Sequence, residues 1–166
     1  VSPAMAMLAF TAVLPAPSDV EELYALSTGG DPGETAELFA TLYDLALDRN
    51  DVVAVTAREV GELVGFGYGH RWLWSEQNDD WSGDLAAQLG DDAHRLEQAF
   101  AVQLLAVHPK FTHRGLGFEL LKQLMVASGS PVHWLQLEDS DTPARRLFRR
   151  MGYRPLGDDA QVLVHG

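Results

Sequence analysis

The spacing of apolar and polar residues predicts that this chain combines helices and strands. An apolar run at 7–14 indicates a buried first strand, and "PAPSD" then begins a short helix with Ser18 or Asp19 as its cap. A second helix is predicted over 34–48, where apolar residues recur every three or four positions and so share one face. The residues of that face are Leu38, Phe39, Leu42, Leu45 and Ala46.

Two β-branched and aromatic runs, at 52–57 and 63–70, predict a hairpin because a loop containing glycine separates them. Gly65, Gly67 and Gly69 fall on one face of its second strand. Glycine within a strand marks close approach by another group. This face therefore either packs against the rest of the protein or forms a wall that faces a substrate.

The strand predicted at 99–107 reverses its alternation near 104–105, as a β-bulge would require. The chain is then predicted to be helical from Gly115 to Gly129, with one apolar face. That face comprises Leu116, Leu120, Leu121, Leu124 and Met125.

The last part of the chain predicts a strand at 132–141, a helix within 141–152 and an edge strand at 160–166. Gly152 is expected to end the helix. Its inward residues are predicted to be Ala144, Leu147, Phe148 and Met151. Its outward residues are predicted to be Arg145, Arg146, Arg149 and Arg150.

Composition indicates one globular domain over 1–166, since 46% of residues are hydrophobic, 22% are charged, and no linker or repeat is visible. The absence of cysteine excludes disulfides, thiolate metal sites and a cysteine nucleophile. The longest apolar stretch is too short to span a bilayer and lacks the basic flank of a secretion signal. We therefore expect a cytoplasmic protein with no membrane partner.

The net charge of −12 argues against a nucleic-acid partner, which would require clustered lysines and arginines. Charge is also unevenly distributed, because 1–98 carries 18 acids and four bases whereas 99–166 carries six acids and eight bases. An anion bound by the second part and a cation met by the first would explain this asymmetry. A solvated acidic surface would explain the first part equally well.

The segment 71–98 combines Trp72, Trp74 and Trp81 with many carboxylates. Aromatic rings beside carboxylates can form a cage for a cationic amine. Tryptophans that anchor a loop onto the core are the alternative interpretation.

The turn at 112–117 joins a strand to a helix and is the candidate ligand site of the chain. The first amides of a helix lack intrahelical partners, and the helix dipole adds positive charge there, so such a turn favours an anion. Glycines at 115 and 117 would let the backbone approach a phosphate closely. Lys110, His113 and Arg114 add cations, and only Glu119 opposes them.

Two phosphate-binding motifs do not match this turn. GxxxxGKS or GxxxxGKT would need a lysine followed by serine or threonine, and GxGxxG would need a third glycine. From the residues alone, both a phosphate cradle and an ordinary helix start remain open.

The sequence "LLAVHPKFTHRGLGFELLKQL" nevertheless resembles the acetyl-CoA signature of the GNAT superfamily of N-acetyltransferases. That signature is a strand followed by Arg or Gln, two residues, Gly, one residue, then Gly or Ala at a helix start. "DTPARRLFRRMGYRP" resembles a later helix of the same family, and the predicted order of elements matches as well. The resemblance implies an α/β (α+β) single-domain GNAT fold with a mixed, mostly antiparallel sheet, a bulged, splayed central strand and flanking helices.

The resemblance also implies a cofactor site for acetyl-CoA. Backbone groups of Leu105 and Val107 would hold the pantetheine arm where the bulged strand splays from the next, and the amides of His113 through Gly117 would hold the pyrophosphate. The positions matched to cofactor binding are Leu105, Ala106, Val107, Thr112, His113, Arg114, Gly115, Leu116, Gly117, Asp141 and Phe148.

Three positions depart from the family pattern. Thr112 stands where Arg or Gln is usual, and Asp141 stands where asparagine is frequent. Phe148 stands where many members have a tyrosine that protonates the departing thiolate. A phenyl ring cannot donate that proton, so Tyr153, Ser140 or a water is expected to substitute.

The implied reaction is direct attack by a primary amine on acetyl-CoA within a ternary complex, with Glu76, His94 and Glu138 as candidate bases. No two histidines have the helical i, i+4 spacing of a metal site, so no metal is predicted. The acidic 71–98 segment suggests a small cationic amine as acceptor. A catalytically weak acyl-CoA-binding or regulatory module, a peptide or protein N-acetyltransferase, and a homodimer all remain open.

Overall fold

The computed structural model describes residues 7–28, 33–137, 143–157 and 161–166. The chain divides into two compact units, of which the first consists of the residues up to Gly69 together with Gln103–Ala127. The second consists of His70–Val102 and Ser128–Gly166. One domain spanning 1–166 stays a prediction.

The described residues form five α-helices and seven β-strands. The helices are α1 (Pro17–Ser27), α2 (Gly33–Ala46), α3 (Asp80–Leu89), α4 (Leu116–Ser128) and α5 (Pro143–Arg150). The strands are β1 (Ala9–Thr11), β2 (Val53–Glu59), β3 (Glu62–Arg71), β4 (Phe100–Val107), β5 (His133–Gln136), β6 (Arg154–Pro155) and β7 (Val162–His165). No described helix is long and apolar enough to cross a membrane.

The sheet is mostly antiparallel, as expected. In the first unit β1 pairs with β2, and β2 pairs with β3, both antiparallel. In the second unit the start of β4 pairs in parallel with β5, and β7 pairs antiparallel with both β5 and β6. The strand order is β1-β2-β3-β4-β5-β7-β6.

The predicted hairpin is confirmed as β2 and β3, joined by the two-residue turn Val60–Gly61. Both residues have positive φ, 49° and 83°, as in the tightest hairpin turns that match strand twist. The pairing shifts register between Ala57 and Arg58. The bulge expected near 104–105 of β4 stays a prediction.

The two faces of β3 make different contacts in the core of the first unit. A Cβ added at Gly65 would lie 2.8 Å from Leu120 Cδ1 of α4. One at Gly67 would lie 3.2 Å from Leu105 Cδ1 of β4 and 3.5 Å from Leu124 Cδ2 of α4, so Gly65 packs against α4 and Gly67 against both β4 and α4. This supports the packing interpretation of the glycine face. Phe66 and Tyr68 belong to the opposite face, where both rings contact Tyr43 of α2 in edge-to-face geometry.

The predicted apolar face of α2 is wrong for its three leucines. The helix buries Ala36, Ala40, Tyr43 and Ala46, and Phe39 is half-buried. Leu38, Leu42 and Leu45 are 54%, 45% and 61% exposed. The bulky rings of β3 and α2 fill the interface, so the core admits only small side chains from the rest of this helix.

The second unit is built around four tryptophans. The ring of Trp72 meets those of Trp74, Trp81 and Trp134 edge to face, at interplanar angles of 86–88°. Trp74 Nε1 also donates a 2.8 Å hydrogen bond to the carbonyl of Ala93. These contacts support the interpretation that the tryptophans anchor the 71–98 segment.

Three local predictions near the chain ends are corrected. The first strand is short and largely exposed, since β1 has three residues of which two are exposed. The cap of α1 is Ala16, without a side-chain bond, because Pro17 starts the helix at a position where its missing N–H costs nothing. The terminal strand β7 is buried between β5 and β6, so β6 rather than β7 is the edge.

Helix α5 faces the core differently from the prediction. Phe148 is buried as expected, but Arg145 is also buried, at 3% exposure, and Ala144 is exposed. The charge of Arg145 predicts an outward position, but the long aliphatic stem of an arginine can cover apolar surface. Gly152 has a φ of 97°, which confirms its place at the end of the helix.

Candidate functional site

The turn that follows β4 is fixed to the hairpin through its first residues. His108 N donates a 2.8 Å hydrogen bond to the carbonyl of Val64 in β3. A 3-10 turn over Pro109–Phe111 follows, and the side chain of Phe111 is buried. The segment 112–115 therefore starts from an anchored position.

Two residues of this turn have left-handed backbone, and the amide of Arg114 between them donates a 3.2 Å bond to the carbonyl of Phe111. His113 and Gly115 have left-handed φ values of 64° and 88°, a pattern of turn backbone that forms anion-binding concavities. The intrahelical ladder of α4 begins with the 3.0 Å bond from Glu119 N to the carbonyl of Gly115. The amides of Leu116, Gly117 and Phe118 precede that bond and lie at the positive end of the helix dipole.

Side chains around the turn differ from the prediction in one respect. Lys110, expected to add a cation for an anion, instead forms a salt bridge with Glu59 at the end of β2. Thr112, His113 and Arg114 are exposed. The opposing carboxylate, Glu119, has Lys122 Nζ at 3.7 Å and accepts a 3.0 Å bond from Gln123 Nε2.

These residues fit an anionic phosphate group. Free helix-terminal amides supply donors, Arg114 and His113 supply exposed cationic or donor groups, and Glu119 is partly neutralised by Lys122. Leu116 can contribute only its backbone, because its side chain is fully buried. The pairing of Glu59 with Lys110, 51 residues apart in sequence, left no local signal from which it could be predicted.

Strand β4 belongs to the same unit from Gln103 onward and alternates regularly at its end. Leu104 and Ala106 lie in the core cluster, whereas Leu105 and Val107 are half-buried on the other face. This places the three cofactor candidates of β4 directly before the turn. Their proposed role rests on the backbone, since Ala106 has a buried side chain.

Two of the candidates, Phe148 and Tyr153, lie together in the second unit. Their ring centroids are 5.5 Å apart, and both side chains are buried. Burial raises the pKa of Tyr153 well above its usual value, so its hydroxyl keeps its proton at neutral pH. Among the described residues that hydroxyl has no hydrogen-bond partner.

Glu76 and His94 also belong to the second unit and are both exposed. Glu76 ends a 3-10 turn over Trp74–Glu76. His94 Nδ1 bonds to the carbonyl of Asp91. A carbonyl can only accept, so Nδ1 carries the hydrogen and Nε2 of the neutral ring has a free lone pair.

Three further predicted residues, Glu138, Ser140 and Asp141, lie outside the described residues. Within the described ranges no group of three or more His, Asp or Glu side chains is placed to hold a metal ion.

Comparison with known proteins identifies a family. Residues 18–153 match the family model described as "Acetyltransferase (GNAT) family". No curated protein matches the chain.

Among solved structures, one similar chain is an acetyltransferase assigned to the GNAT family from Desulfovibrio desulfuricans. It is 19% identical with a TM-score of 0.69, and the alignment covers 95% of this chain and 98% of that one. A GNAT family acetyltransferase from Brucella melitensis in complex with acetyl-CoA is 14% identical with a TM-score of 0.61, covering 96% and 87%. The ribosomal-protein-S18-alanine N-acetyltransferase from Escherichia coli is 16% identical with a TM-score of 0.58, covering 95% and 91%. These likenesses confirm the predicted fold.

Proposed function

Because the chain belongs to the acetyltransferase (GNAT) family, we propose that it transfers the acetyl group of acetyl-CoA to a primary amine. The observation that carries this proposal is the start of α4, where unpaired amides follow two left-handed residues and adjoin Arg114. The acetyl-CoA complex of the Brucella melitensis relative supports the choice of cofactor.

The cofactor residues are proposed to act mainly through their backbone. The amides of His113, Gly115, Leu116 and Gly117 bind the pyrophosphate, and the guanidinium of Arg114 adds charge. The Arg114 amide, which the resemblance also assigned to the pyrophosphate, instead donates a 3.2 Å bond to the carbonyl of Phe111. The hydroxyl of Thr112 can donate to the same anion without adding charge. Backbone groups of Leu105 and Val107 hold the pantetheine arm.

The acyl group arrives activated, because a thiol with a pKa of about 8.5 leaves as a tolerable thiolate. The chain must then position the amine and take up its proton. The candidate bases that take up this proton are His94, through the free lone pair on Nε2, Glu76 and Glu138. Phe148 cannot protonate the thiolate, so Tyr153, Ser140 or water takes that part.

The acceptor is proposed to be a small cationic amine. Residues 1–98 carry the large carboxylate excess of the chain, which attracts cations. The Escherichia coli relative is named for a ribosomal-protein alanine, so a peptide amino terminus is the alternative acceptor.

Cofactor binding is tested by equilibrium unfolding in acetyl-CoA. A concentration about 100-fold above the dissociation constant should raise the free energy of unfolding by about 2.7 kcal/mol. Gly117→Asp should abolish this rise, because it places a side chain and a negative charge at the first turn of α4, where the phosphate is proposed to bind.

Gly83→Asp is the matched control, since Gly83 lies in helix α3 with nothing within 4 Å of an added Cβ. It should retain the full rise. No stabilisation of the native chain at millimolar acetyl-CoA, or an undiminished rise in Gly117→Asp, would show that the turn is not the cofactor site.

Turnover separates the enzyme from an acyl-CoA-binding module. We expect release of free thiol from acetyl-CoA in the presence of small cationic amines, with peptide amino termini as the comparison panel. Stabilisation by acetyl-CoA without turnover of any amine would favour the module, for which Phe148 and Thr112 are the motivating residues.

A further inference from the structure

The outward face of α2 carries an apolar stripe. Leu38, Leu42 and Leu45 follow the i, i+4, i+7 spacing of one helical face, and each is about half exposed. The helix is held to the core by other residues, chiefly Tyr43 and three alanines. The leucines are therefore not needed for packing within the first unit.

A stripe of carboxylates runs beside the leucines. Its members on the helix are spaced i, i+3, i+7 and i+10, with a threonine at i+7, and all are exposed. These members are Glu34, Glu37, Thr41 and Asp44. Asp48 is also exposed but lies in the turn after the end of α2. Helix α2 contains no basic residue, and the next base, Arg49, is paired with Asp51 at 2.8 Å.

We propose that this face of α2 binds a basic amphipathic helix of a partner protein. Exposed apolar surface with a polar rim marks interaction sites, and an apolar helix face is commonly recognised by a second helix at this spacing. The carboxylate stripe calls for lysines or arginines on the partner's matching flank. With 14 residues, α2 offers a face about 21 Å long.

The same charges disfavour the other occupants. In a two-fold antiparallel pairing of α2 with its copy, like flanks face each other, so carboxylates would oppose carboxylates. A membrane surface is disfavoured because anionic headgroups repel a carboxylate-lined helix.

The test uses two fluorescent 21-residue helical peptides with the same leucine stripe. One carries lysines along the flank, and the other carries glutamates at the same positions. The intact chain should bind the lysine peptide in anisotropy titrations and not the glutamate peptide. Replacing Leu38, Leu42 and Leu45 together by glutamine should weaken binding on the order of a hundredfold, since each half-exposed leucine loses its burial.

Charge variants locate the site. Glu37→Gln with Asp44→Asn should weaken binding about fivefold and flatten its salt dependence. Asp80→Asn with Asp84→Asn removes the same charge from exposed positions on α3 and should leave binding within twofold. All variants should keep the native circular dichroism and the stabilisation by acetyl-CoA, because this face lies outside the proposed cofactor site.

Three outcomes would overturn the proposal. Equal weakening by the α3 variant would mean general attraction to an acidic protein. A native dimer that the leucine variant makes monomeric would identify a second copy as the occupant. If neither peptide bound, the face of α2 would not be a binding site for a basic amphipathic helix.

Discussion

Helices α2 and α4 carry similar leucine patterns but bury them differently. In α4 the leucines at 116, 120, 121 and 124 are all 0% exposed. In α2 the leucines at 38, 42 and 45 are about half exposed, and the buried face consists of Tyr43 with alanines. Apolar periodicity predicted both helices correctly, but it predicted the buried face of only one.

The difference originates in β3, which lies between the two packing surfaces of the first unit. Its sequence alternates Gly65-Phe66-Gly67-Tyr68, and successive side chains of a strand point to opposite faces. The glycine face leaves room for the leucines of α4. The aromatic face is filled by Phe66 and Tyr68 of β3 together with Tyr43 of α2. The other buried residues of α2 are therefore alanines. Complementary volume therefore decides which apolar residues enter the core.

The largest expected effect comes from making the same substitution in both helices. Leu120→Ala should lower the free energy of unfolding by about 2–5 kcal/mol, because it leaves a cavity in a close-packed site. Leu42→Ala should change it by no more than about 0.5 kcal/mol, since the side chain is exposed. Urea unfolding of the two variants measures both values, and similar losses would contradict the assignment of the buried faces.

A smaller effect is expected from filling the space that the glycines leave. Gly65→Ala would place Cβ 2.8 Å from Leu120 Cδ1 and 3.2 Å from Leu116 Cδ2, and overpacking of this kind costs about 1–3 kcal/mol. Adding Leu120→Val removes the nearest atom, so the double variant should lose less stability than the sum of the two single changes.

Gly83→Ala provides the control for the glycine substitution. Gly83 lies in α3 with open space around an added Cβ, and replacing a helical glycine by alanine stabilises by about 0.5–1 kcal/mol. If Gly65→Ala were also stabilising, the glycine face would not be in close contact with α4.

The fold was predictable from sequence where a local pattern sufficed. The hairpin, α4 and the helix end at Gly152 follow from periodicity and turn chemistry. The face of α2, the burial of Arg145 and the interior position of β7 did not, because each depends on the size and position of residues distant in sequence. Local hydrophobicity contains no information on which face meets an already filled core.

The candidate site shows the same division. The start of α4 and the need for glycine at 115 could be predicted from the turn sequence. The left-handed backbone of His113 could not be predicted locally, since positive φ is uncommon for every residue except glycine, even though histidine adopts it more often than most. The salt bridge between Lys110 and Glu59 joins residues 51 positions apart in sequence, so no local pattern could predict it.

The smallest expected effect concerns Tyr43. This residue, rather than the leucines of α2, anchors the helix to the core. Its hydroxyl donates a 2.7 Å hydrogen bond to the carbonyl of Pro15, so Tyr43→Phe should cost about 1 kcal/mol at pH 7. Burial raises the pKa of Tyr43 from 10.0 to about 12. The folded state therefore favours the neutral phenol. Its contribution is fully present below pH 10 and is lost as the pH rises from there towards 12, because the unfolded chain ionises first.

The difference in unfolding free energy between the native chain and Tyr43→Phe should accordingly be constant from pH 7 to 9 and shrink above pH 10. Groups that do not interact with Tyr43 cancel in this difference. Tyr68 is coupled to it, because both burial and the charge of an ionised Tyr43 raise the pKa of Tyr68. Tyr68 therefore stays protonated in the folded state over the pH range measured, and this coupling does not enter the difference. A difference that stays constant to pH 11 would mean that water reaches the Tyr43 hydroxyl. In that case only the alanines and the ring of Tyr43 would hold α2 against the core. The buried faces of α2 and α4 would then differ in side-chain volume and not in hydrogen bonding.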